Sequence, residues 1–446
     1  MKKFLLPILV ISLLCMPLSA QETSGWQAFS DYWTKTDAEA SNHLKPKTSF
    51  RMGLGLNTLA AGAALNTPFT LVDVLGNKDN DWKKNGICDL DFTKLAKDNV
   101  LSKNGLDLNV ALQLHLFDLA IQGKQEDGSF KEWGWGLSIA DVYGSLDVGF
   151  TPGLIKLIGQ GNVGQDRLEA GLNVSGAVFA ETVGFNWHTE NFILPKLYVK
   201  FTGGHFIPVF YIPNSGVDVY IDTRGNGTVL GVDGSINGYT AIAFDSNNKP
   251  TGLSSYGGFD ISAQAEYNFF SMLDVGITID NIPLVPAHMT TVMTMNMSQD
   301  ILNTSDLLHG GGMGGFDSLF DNIKPEFANN GDKWVTRPMR WDVYALYRPL
   351  LTDFLVLRPH IGFTSLTPAE VGYFNFGVEA SLNVGDWFTF AYYTGGYDGI
   401  CRNRFTLNFN WKVLPIFFSI ETRSQDYWRA WTLDGALITL GGAMAF

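Results

Sequence analysis

The chain has 446 residues, of which 46% are hydrophobic, 13% are aromatic and only 17% are charged. So much apolar surface excludes a disordered chain, because it must be buried in a core or placed in a membrane. The net charge of −13 excludes nucleic acid as an expected partner, since the phosphate backbone would be repelled.

The first 20 residues have the parts of a secretory signal peptide. Lys2 and Lys3 form a basic start, residues 4–15 are mostly apolar, and Ala20 ends the segment. The apolar stretch is shorter than the roughly 20 residues of a membrane-spanning helix. We therefore expect cleavage after Ala20 and export of residues 21–446. Loss of Lys2 and Lys3 changes the net charge from −13 for the full chain to −15 for the exported part. An uncleaved anchor and a lipoprotein modified at Cys15 are the alternatives.

After a first predicted strand near Thr48, residues 59–104 do not alternate as a strand would, and we assign them to an inserted segment. Residues 68–76 and 92–99 are predicted as short helices, with a third over residues 152–160. The acidic residues of the insertion lack the spacing of a calcium loop: Asp79, Asp81, Asp89 and Asp91. A solvated acidic turn is expected there, and no metal site.

Period-two alternation of apolar and polar side chains is the main structural signal in the rest of the chain. In residues 371–383, Phe374, Phe376 and Val378 alternate with Asn375 and Glu379. The same pattern recurs in residues 259–269, 354–364 and 403–412. Each such segment is predicted to be a strand with one apolar and one polar face.

The lengths of the joins between these strands lead to a fold prediction. The joins near the C-terminus alternate between short ones, at 384–385 and 413–414, and longer ones, at 365–370 and 399–402. This is the rhythm of periplasmic turns and outer loops, which a soluble sandwich does not explain. We predict an all-β protein, a transmembrane antiparallel up-and-down β-barrel of about 14 strands, roughly 12 to 16, with short helical insertions. The interior of such a barrel is filled either by a plug or by water. Candidate strands begin near Thr48, Leu106, Lys131, Leu168, Leu194, Val217, Tyr239, Gly257, Met272, Arg340, Phe354, Val371, Asp386, Arg402, Pro415 and Ala436.

Aromatic residues near predicted strand ends support a membrane boundary, where an apolar ring and its polar tip are both satisfied. They are Trp341, Tyr347, Trp387, Tyr393, Trp411, Tyr427 and Trp428. Phe446 ends the last predicted strand and resembles the sorting signal that the barrel assembly machinery reads. We therefore expect outer-membrane lipid and that machinery as partners.

Residues 287–336 form the longest irregular region and a second predicted insertion. Met289, Met293, Met295 and Met297 concentrate flexible apolar side chains there, and such surfaces adapt to varied apolar ligands. A loop that folds inward and binds an apolar ligand is one interpretation. A mobile surface loop, with methionines that only pack, is the other.

Charged side chains on the polar strand faces are predicted to line the lumen. They are Arg340, Asp342, Arg348, Arg358, His360, Glu379, Arg404, Lys412, Glu421 and Arg423. Opposite charges on neighbouring strands should pair, because unpaired ions there would be costly. The set either keeps the wall rigid or lines a solute path.

No catalytic motif is found: the sequence has no nucleophile elbow, no metalloprotease helix and no phosphate-binding loop. We expect neither enzymatic activity nor a cofactor. Cys88 and Cys401 remain after removal of the signal peptide, and could pair after export.

The signal peptide, Phe446 and the segments 65–75 (LNTPFTLVDVL) and 104–117 (NGLDLNVALQLHLF) resemble an uncharacterised class of outer-membrane barrels from spirochaetes and Bacteroidetes. Some barrels of that type are similar to long-chain fatty acid transporters. The Asn-Pro-Ala motif of the transporters' N-terminal hatch is not found in this sequence, so no ligand-binding residue is carried over.

The expected function is passive transport or uptake of hydrophobic or amphipathic small molecules such as fatty acids, gated by an inward-folded N-terminal or Met-rich segment. The alternative is a surface-exposed binding, adhesion or structural barrel through which nothing passes. An outer-membrane lipase is a third class, and it would need a serine and a histidine close together.

Overall fold

A computed structural model describes residues 50–53, 58–66, 106–123, 133–150, 167–189, 192–222, 229–253, 256–303, 325–352, 354–365, 372–384, 387–397, 400–410, 415–424, 427–430 and 435–443. The predicted signal peptide, the three predicted helices, Cys88 and Phe446 lie outside these residues.

The described residues are almost entirely β-strand. The strands are β1 (Phe50–Gly53), β2 (Thr58–Asn66), β3 (Leu106–Gly123), β4 (Trp133–Phe150), β5 (Arg167–Thr189), β6 (Leu197–Asp222), β7 (Val229–Thr240), β8 (Ile242–Phe244), β9 (Pro250–Leu253), β10 (Gly258–Phe270), β11 (Leu273–Val285), β12 (Ala287–Met289), β13 (Thr291–Asn303), β14 (Glu326–Ala328), β15 (Lys333–Val335), β16 (Met339–Tyr347), β17 (Leu355–Ser365), β18 (Tyr373–Val384), β19 (Phe388–Tyr397), β20 (Ile400–Asn410), β21 (Pro415–Ser424) and β22 (Gly435–Ala443). One short helix, α1 (Tyr427–Ala430), contacts β20 and β21. No described helix is long and apolar enough to cross a membrane.

Fourteen strands close into a barrel. Antiparallel pairing runs through β2, β3, β4, β5, β6, β10, β11, β16, β17, β18, β19, β20, β21 and β22, and β22 then pairs with β2. The predicted antiparallel barrel of about 14 strands is therefore confirmed. Ring closure pairs the backbone of every wall strand on both sides, which leaves no open sheet edge in the wall.

Connections of different length lie at the two ends of the barrel. At the turn end, the strands join through residues 271–272, 348–354, 385–387 and 411–414. At the opposite end, the mouth end, they join through longer segments such as residues 67–105 and 286–338. The prediction of a longer loop at 399–402 is wrong, because only residues 398–399 separate β19 from β20. Hairpin geometry, and not side-chain alternation, sets where such a strand begins.

The wall exposes large apolar side chains and buries polar ones, which is the reverse of the pattern in a soluble protein. On β18, the outward Phe374, Phe376 and Val378 are 41%, 60% and 43% exposed, whereas the inward Asn375 and Glu379 are 0% and 3% exposed. Burying polar and charged side chains while exposing large apolar ones is unfavourable in water. The arrangement is stable when hydrocarbon surrounds the wall, so the strands span a membrane.

Eight described strands lie outside the ring: β1 pairs with β3, β8 pairs with β9, and the other five form two groups. β7, β13 and β14 continue the sheet from the upper part of β6 and form, with the upper parts of β5 and β6, a sheet extension at the mouth end. β12 pairs with β15, although β13 and β14 lie between them in the chain. We call this antiparallel two-stranded unit the inner hairpin. It contacts β6 and β10. The predicted insertion 287–336 thus contributes to both groups.

Three further predictions differ from the structure. Residues 59–66, assigned from sequence to an inserted segment, belong to wall strand β2, whose sequence TLAAGAALN lacks the bulky residues that make alternation visible. Leu197–Asp222 is one strand, although separate starts are predicted near Leu194 and Val217. Tyr393, predicted at the membrane boundary, lies on the inner face in the middle of β19 and is 1% exposed.

A charge on the outward face tests the membrane assignment. Val378→Arg places a cation outside the middle of β18, and we expect it to destabilise the barrel by about 2–4 kcal/mol if that position lies near the bilayer midplane. Leu194→Arg, in the turn between β5 and β6, should cost at most about 1 kcal/mol. Urea unfolding of both variants in phospholipid vesicles measures the difference, and equal effects would contradict the assignment.

Candidate functional site

A band of charged and polar side chains crosses the inner face of β16 to β21. We call it the lumen belt; it consists of Arg340, Asp342, Arg358, His360, Glu379, Tyr393, Arg402, Arg404 and Glu421. Strand register places them side by side. Arg358, Glu379, Tyr393, Arg404 and Glu421 are consecutive partners on five neighbouring strands.

Hydrogen bonds link the belt from strand to strand. His360 Nδ1 lies 2.8 Å from Asp342 Oδ1, and His360 Nε2 lies 3.1 Å from Tyr393 Oη. Arg402 donates to Tyr393 Oη over 3.0 Å, and that hydroxyl donates to the carbonyl of Phe376 over 3.2 Å. The Tyr393 ring fits because Gly377 and Gly395 leave space that a Cβ would fill, at 2.3 and 2.4 Å from Tyr393 Oη.

Ion pairs and cation–π contacts add to these hydrogen bonds. Arg358 lies 3.6 Å from Asp342, and Arg404 lies 3.8 Å from Glu379 and 4.0 Å from Glu421. The guanidinium carbons of Arg402 and Arg404 lie 4.8 and 5.1 Å from the centre of the Tyr393 ring. Cations over an aromatic face are stabilised by its quadrupole, so these contacts help to hold the arginines in the wall.

The belt encloses little free space. Arg402, Arg404 and Glu379 are each less than 5% exposed. A cavity of about 240 Å³, part of it open to solvent, is lined by Arg340, Asp342, Arg358, His360, Tyr393, Arg402 and Arg404. Its enclosed part, the space that a water-sized sphere can occupy, is only about 10 Å³, which is room for about one water molecule.

A second buried charge cluster lies beyond β16, the first strand of the belt. Its residues belong to β5, to β10 and to the segment before β16. Arg337 donates from Nε to Asp260 Oδ2 over 2.5 Å, a second time from Nη2 to Asp260 Oδ1, and from Nη1 to Glu181 Oε2 over 2.6 Å. Asp260 is 1% exposed and Arg337 is 7% exposed. We call these three residues the Arg337 bridge; two-pronged contacts of this kind fix geometry as well as charge.

Local backbone features bring Glu181 to the lumen. The pairing of β5 with β6 skips Thr182, which is an extra residue on β5. Such a bulge changes which face later side chains point to, so Val183 is 48% exposed while Phe179 is 2% exposed. Gly204 leaves the space that the carboxylate occupies, since a Cβ there would lie 2.7 Å from Glu181 Cδ.

The inner hairpin covers an apolar part of the inner wall next to the Arg337 bridge. Ala287, Met289 and Val335 are each 0% exposed and pack against residues of β5 and β6. The cluster, which we call the inner apolar patch, consists of Ala177, Phe179, Phe206, Tyr211, Ala287, Met289 and Val335. The guanidinium of Arg337 lies 5.1 Å from the centre of the Phe206 ring, so the bridge and the patch are in direct contact.

The four methionines predicted to form one apolar loop lie on two strands. Met289 belongs to the inner hairpin. Met293, Met295 and Met297 share one face of β13 and pack against a separate cluster of Val and Ile side chains in the sheet extension. The structure therefore separates Met289 from the other three.

The structure places most of the predicted lumen residues on the inner wall. Arg348 lies below the belt and contacts Asp274 over 2.5 Å. The side chain of Arg423 and all of Lys412 lie outside the described residues, so their predicted positions are untested. Sequence reasoning missed Glu181, Asp260, Arg337, Tyr393 and Arg402 as site residues. Alternation does place Asp260 on the polar face of its strand. It does not place Glu181 in the lumen, because the bulge at Thr182 reverses the two faces of β5.

Neither cysteine pairing nor a metal site is evident in the described part of the chain. Cys401 is half-buried on β20, and Cys88 lies outside that part, so their pairing stays a prediction. Among the described residues, no group of three or more His, Cys, Asp or Glu side chains could hold a metal ion.

A closed antiparallel ring with an apolar outer face and a charged inner face defines a class: the protein is a transmembrane β-barrel of the bacterial outer-membrane type. No protein-family model matches the sequence, and no curated protein matches it.

Among solved structures, the chain is similar to distant FadL-like hydrocarbon channels. A TodX deletion mutant, a monoaromatic hydrocarbon channel, is 8% identical with a TM-score of 0.40, and the match covers 91% of each chain. The toluene transporter TbuX of Ralstonia pickettii is 12% identical with a TM-score of 0.35, over 88% of this chain and 89% of that chain. A FadL homologue of Pseudomonas aeruginosa is 10% identical with a TM-score of 0.30, over 89% of each chain.

Removal of the central cation of the Arg337 bridge should destabilise the barrel. Arg337→Met leaves Asp260 and Glu181 buried beside each other, and breaking a buried pair in this way costs about 3–5 kcal/mol. Neutralising both acids in the same chain, with Asp260→Asn and Glu181→Gln, should recover most of that loss. Urea unfolding in detergent measures both changes; a harmless Arg337→Met would show that the bridge does not stabilise the fold.

Proposed function

We propose that the protein is an outer-membrane channel for the uptake of hydrophobic or amphipathic small molecules. The observation that carries the proposal is the inner apolar patch. Phe179, Phe206, Met289 and Val335 form an apolar surface inside a wall whose neighbouring inward positions are charged. Ligand sites for apolar molecules are mostly apolar with a few fixed polar groups, and the patch beside the Arg337 bridge has that composition.

Burial of the belt argues against a permanently open, water-filled pore. In such a pore the charged residues would contact water, yet Arg402, Arg404 and Glu421 are 2%, 4% and 0% exposed. This burial favours a lumen that is closed at this level, in which passage requires a change of conformation, as in a gated channel.

The inner hairpin is the proposed gate. One face packs on the wall through Ala287, Met289 and Val335, and Arg337 follows the hairpin by two residues. The hairpin thus has an apolar contact that a hydrophobic solute could replace, and a charged anchor that returns it to the wall. Met289 suits this contact, because its flexible side chain adapts to different apolar partners.

The sheet extension favours a second function, recognition of a molecule at the cell surface. β5 and β6 are 23 and 26 residues long, well beyond the roughly 10 residues of a membrane-spanning strand, and they continue into β7 and β13. A structured sheet beyond the mouth can bind an external partner whether or not solute passes.

Vesicle uptake of a fluorescent fatty acid tests the proposed channel. The wild-type barrel should take up the fatty acid faster than empty vesicles do. Met289→Gln places an amide in the inner apolar patch and removes about 1.5 kcal/mol of the apolar contact that holds the inner hairpin on the wall, which changes the gating equilibrium by about tenfold. We therefore expect up to about tenfold faster uptake at low solute concentration, because the solute displaces a weaker contact.

The matched control is Met295→Gln, which changes a methionine of the sheet extension that is packed against a different cluster. It should retain wild-type uptake. Equal uptake by empty and protein-loaded vesicles would contradict the channel and leave recognition by the sheet extension as the remaining function.

A further inference from the structure

We infer that Lys333 of the inner hairpin selects amphipathic anions. Its ammonium group pairs with the carboxylate head of a solute whose tail lies on the inner apolar patch. The inference rests on the proposed channel and names the charge of the molecules that it takes up. Lys333 belongs to β15 and lies directly opposite Met289 of β12, which is a member of the patch. The cation and the apolar surface are therefore neighbours on one face of the hairpin.

The two faces of the inner hairpin differ in chemistry. On the face toward the wall, Lys333 alternates with the fully buried Val335. On the opposite face, His288 stacks on Trp334 with ring centres 4.4 Å apart, and His288 Nε2 lies 2.8 Å from Asp332 Oδ1. The acid that precedes Lys333 in the sequence is thus bonded on the opposite face. The face toward the wall carries a cation in apolar surroundings.

The ammonium group of Lys333 contacts an aromatic ring instead of a carboxylate. The side chain is half-buried, and its Nζ lies 5.3 Å from the centre of the ring of Tyr211, a member of the patch. Within the described ranges, no Asp or Glu forms an ion pair with Lys333. Arg337, which also contacts the patch, is by contrast bound by Asp260 and Glu181 at hydrogen-bond distance. A carboxylate would bind Lys333 more strongly than the ring does, because charge-assisted hydrogen bonds exceed a cation–π contact.

An amphipathic anion matches both parts of this surface. Its tail replaces the hairpin side chains that pack on Phe179 and Phe206 of the wall, and its carboxylate pairs with Lys333. A neutral solute of the same length gains only the apolar contact. An amine gains that contact and is repelled by the lysine. The expected order of affinity is therefore anion, neutral molecule and cation.

Equilibrium binding to the full barrel in detergent tests the inference without transport. A fluorescent fatty acid is the probe, and octanoate, octanol and octylamine compete with it at neutral pH. Micelles without protein give the blank. Octanoate should compete at least about tenfold better than octanol, because one charge-assisted hydrogen bond corresponds to about that factor. Octylamine should compete no better than octanol.

Two substitutions of Lys333 test the assignment of the head group. Lys333→Met keeps an apolar stem that can contact the Tyr211 ring, so octanol should compete as in the wild type while the preference for octanoate disappears. Lys333→Glu reverses the charge, and octylamine should then compete at least about tenfold better than octanoate. Lys249→Glu is the matched control, because it makes the same charge change on an exposed lysine between β8 and β9. It should retain the preference for octanoate.

The outcomes separate the inference from the proposed channel. Equal competition by octanoate and octanol in the wild type, or an unchanged preference in both variants of Lys333, would overturn the inference and leave the channel standing. Absence of competition by all three octyl compounds would also overturn it, and vesicle uptake would then decide on the channel alone. If Lys333→Glu does not fold, the result with Lys333→Met still decides.

Discussion

Hydrocarbon offers no hydrogen-bond partner to a peptide group, and the rest of this structure follows from that constraint. A sheet can satisfy it only by closing on itself, as the fourteen wall strands do when β22 pairs with β2. Once the ring is closed, every second side chain faces lipid and the others face the interior. Apolar residues such as Phe376 and Ile361 are then stable on the outside, and charged residues such as Glu379 and Arg404 must find their partners inside.

The interior satisfies its charges in two ways. At the Arg337 bridge, one guanidinium holds two carboxylates from different strands at hydrogen-bond distance and fixes the segment that follows the inner hairpin. In the lumen belt, arginines and carboxylates of neighbouring strands lie side by side, and the arginines are also held by the ring and hydroxyl of Tyr393. A tight anchor beside an apolar contact suits an element that moves and returns.

The wall could be predicted from the sequence because its side chains follow a simple period of two. The outward face of β18 and the inward positions of Arg358, His360 and Glu379 follow from alternation alone, whereas the number of strands could be predicted only as about fourteen. Alternation does not predict the fold where the period is interrupted or invisible. The bulge at Thr182 shifts the phase of β5, so Glu181 could not be assigned to the lumen. β2 is too rich in Ala and Gly to show two faces. Arg337 could not be found at all, because its position depends on how the inner hairpin folds against distant strands.

The measurement that most directly tests this account is a scan of spin labels along β18, from residue 373 to 384, in a reconstituted barrel whose native cysteines are all replaced by serine. Oxygen, which concentrates in lipid, and a water-soluble nickel complex report which solvent each label meets. The account predicts high oxygen and low nickel accessibility at positions 374, 376 and 378, and low oxygen accessibility at 375 and 379. Equal accessibility at neighbouring positions, or high nickel accessibility on the Phe376 face, would contradict a wall with lipid on one side and a closed polar interior on the other.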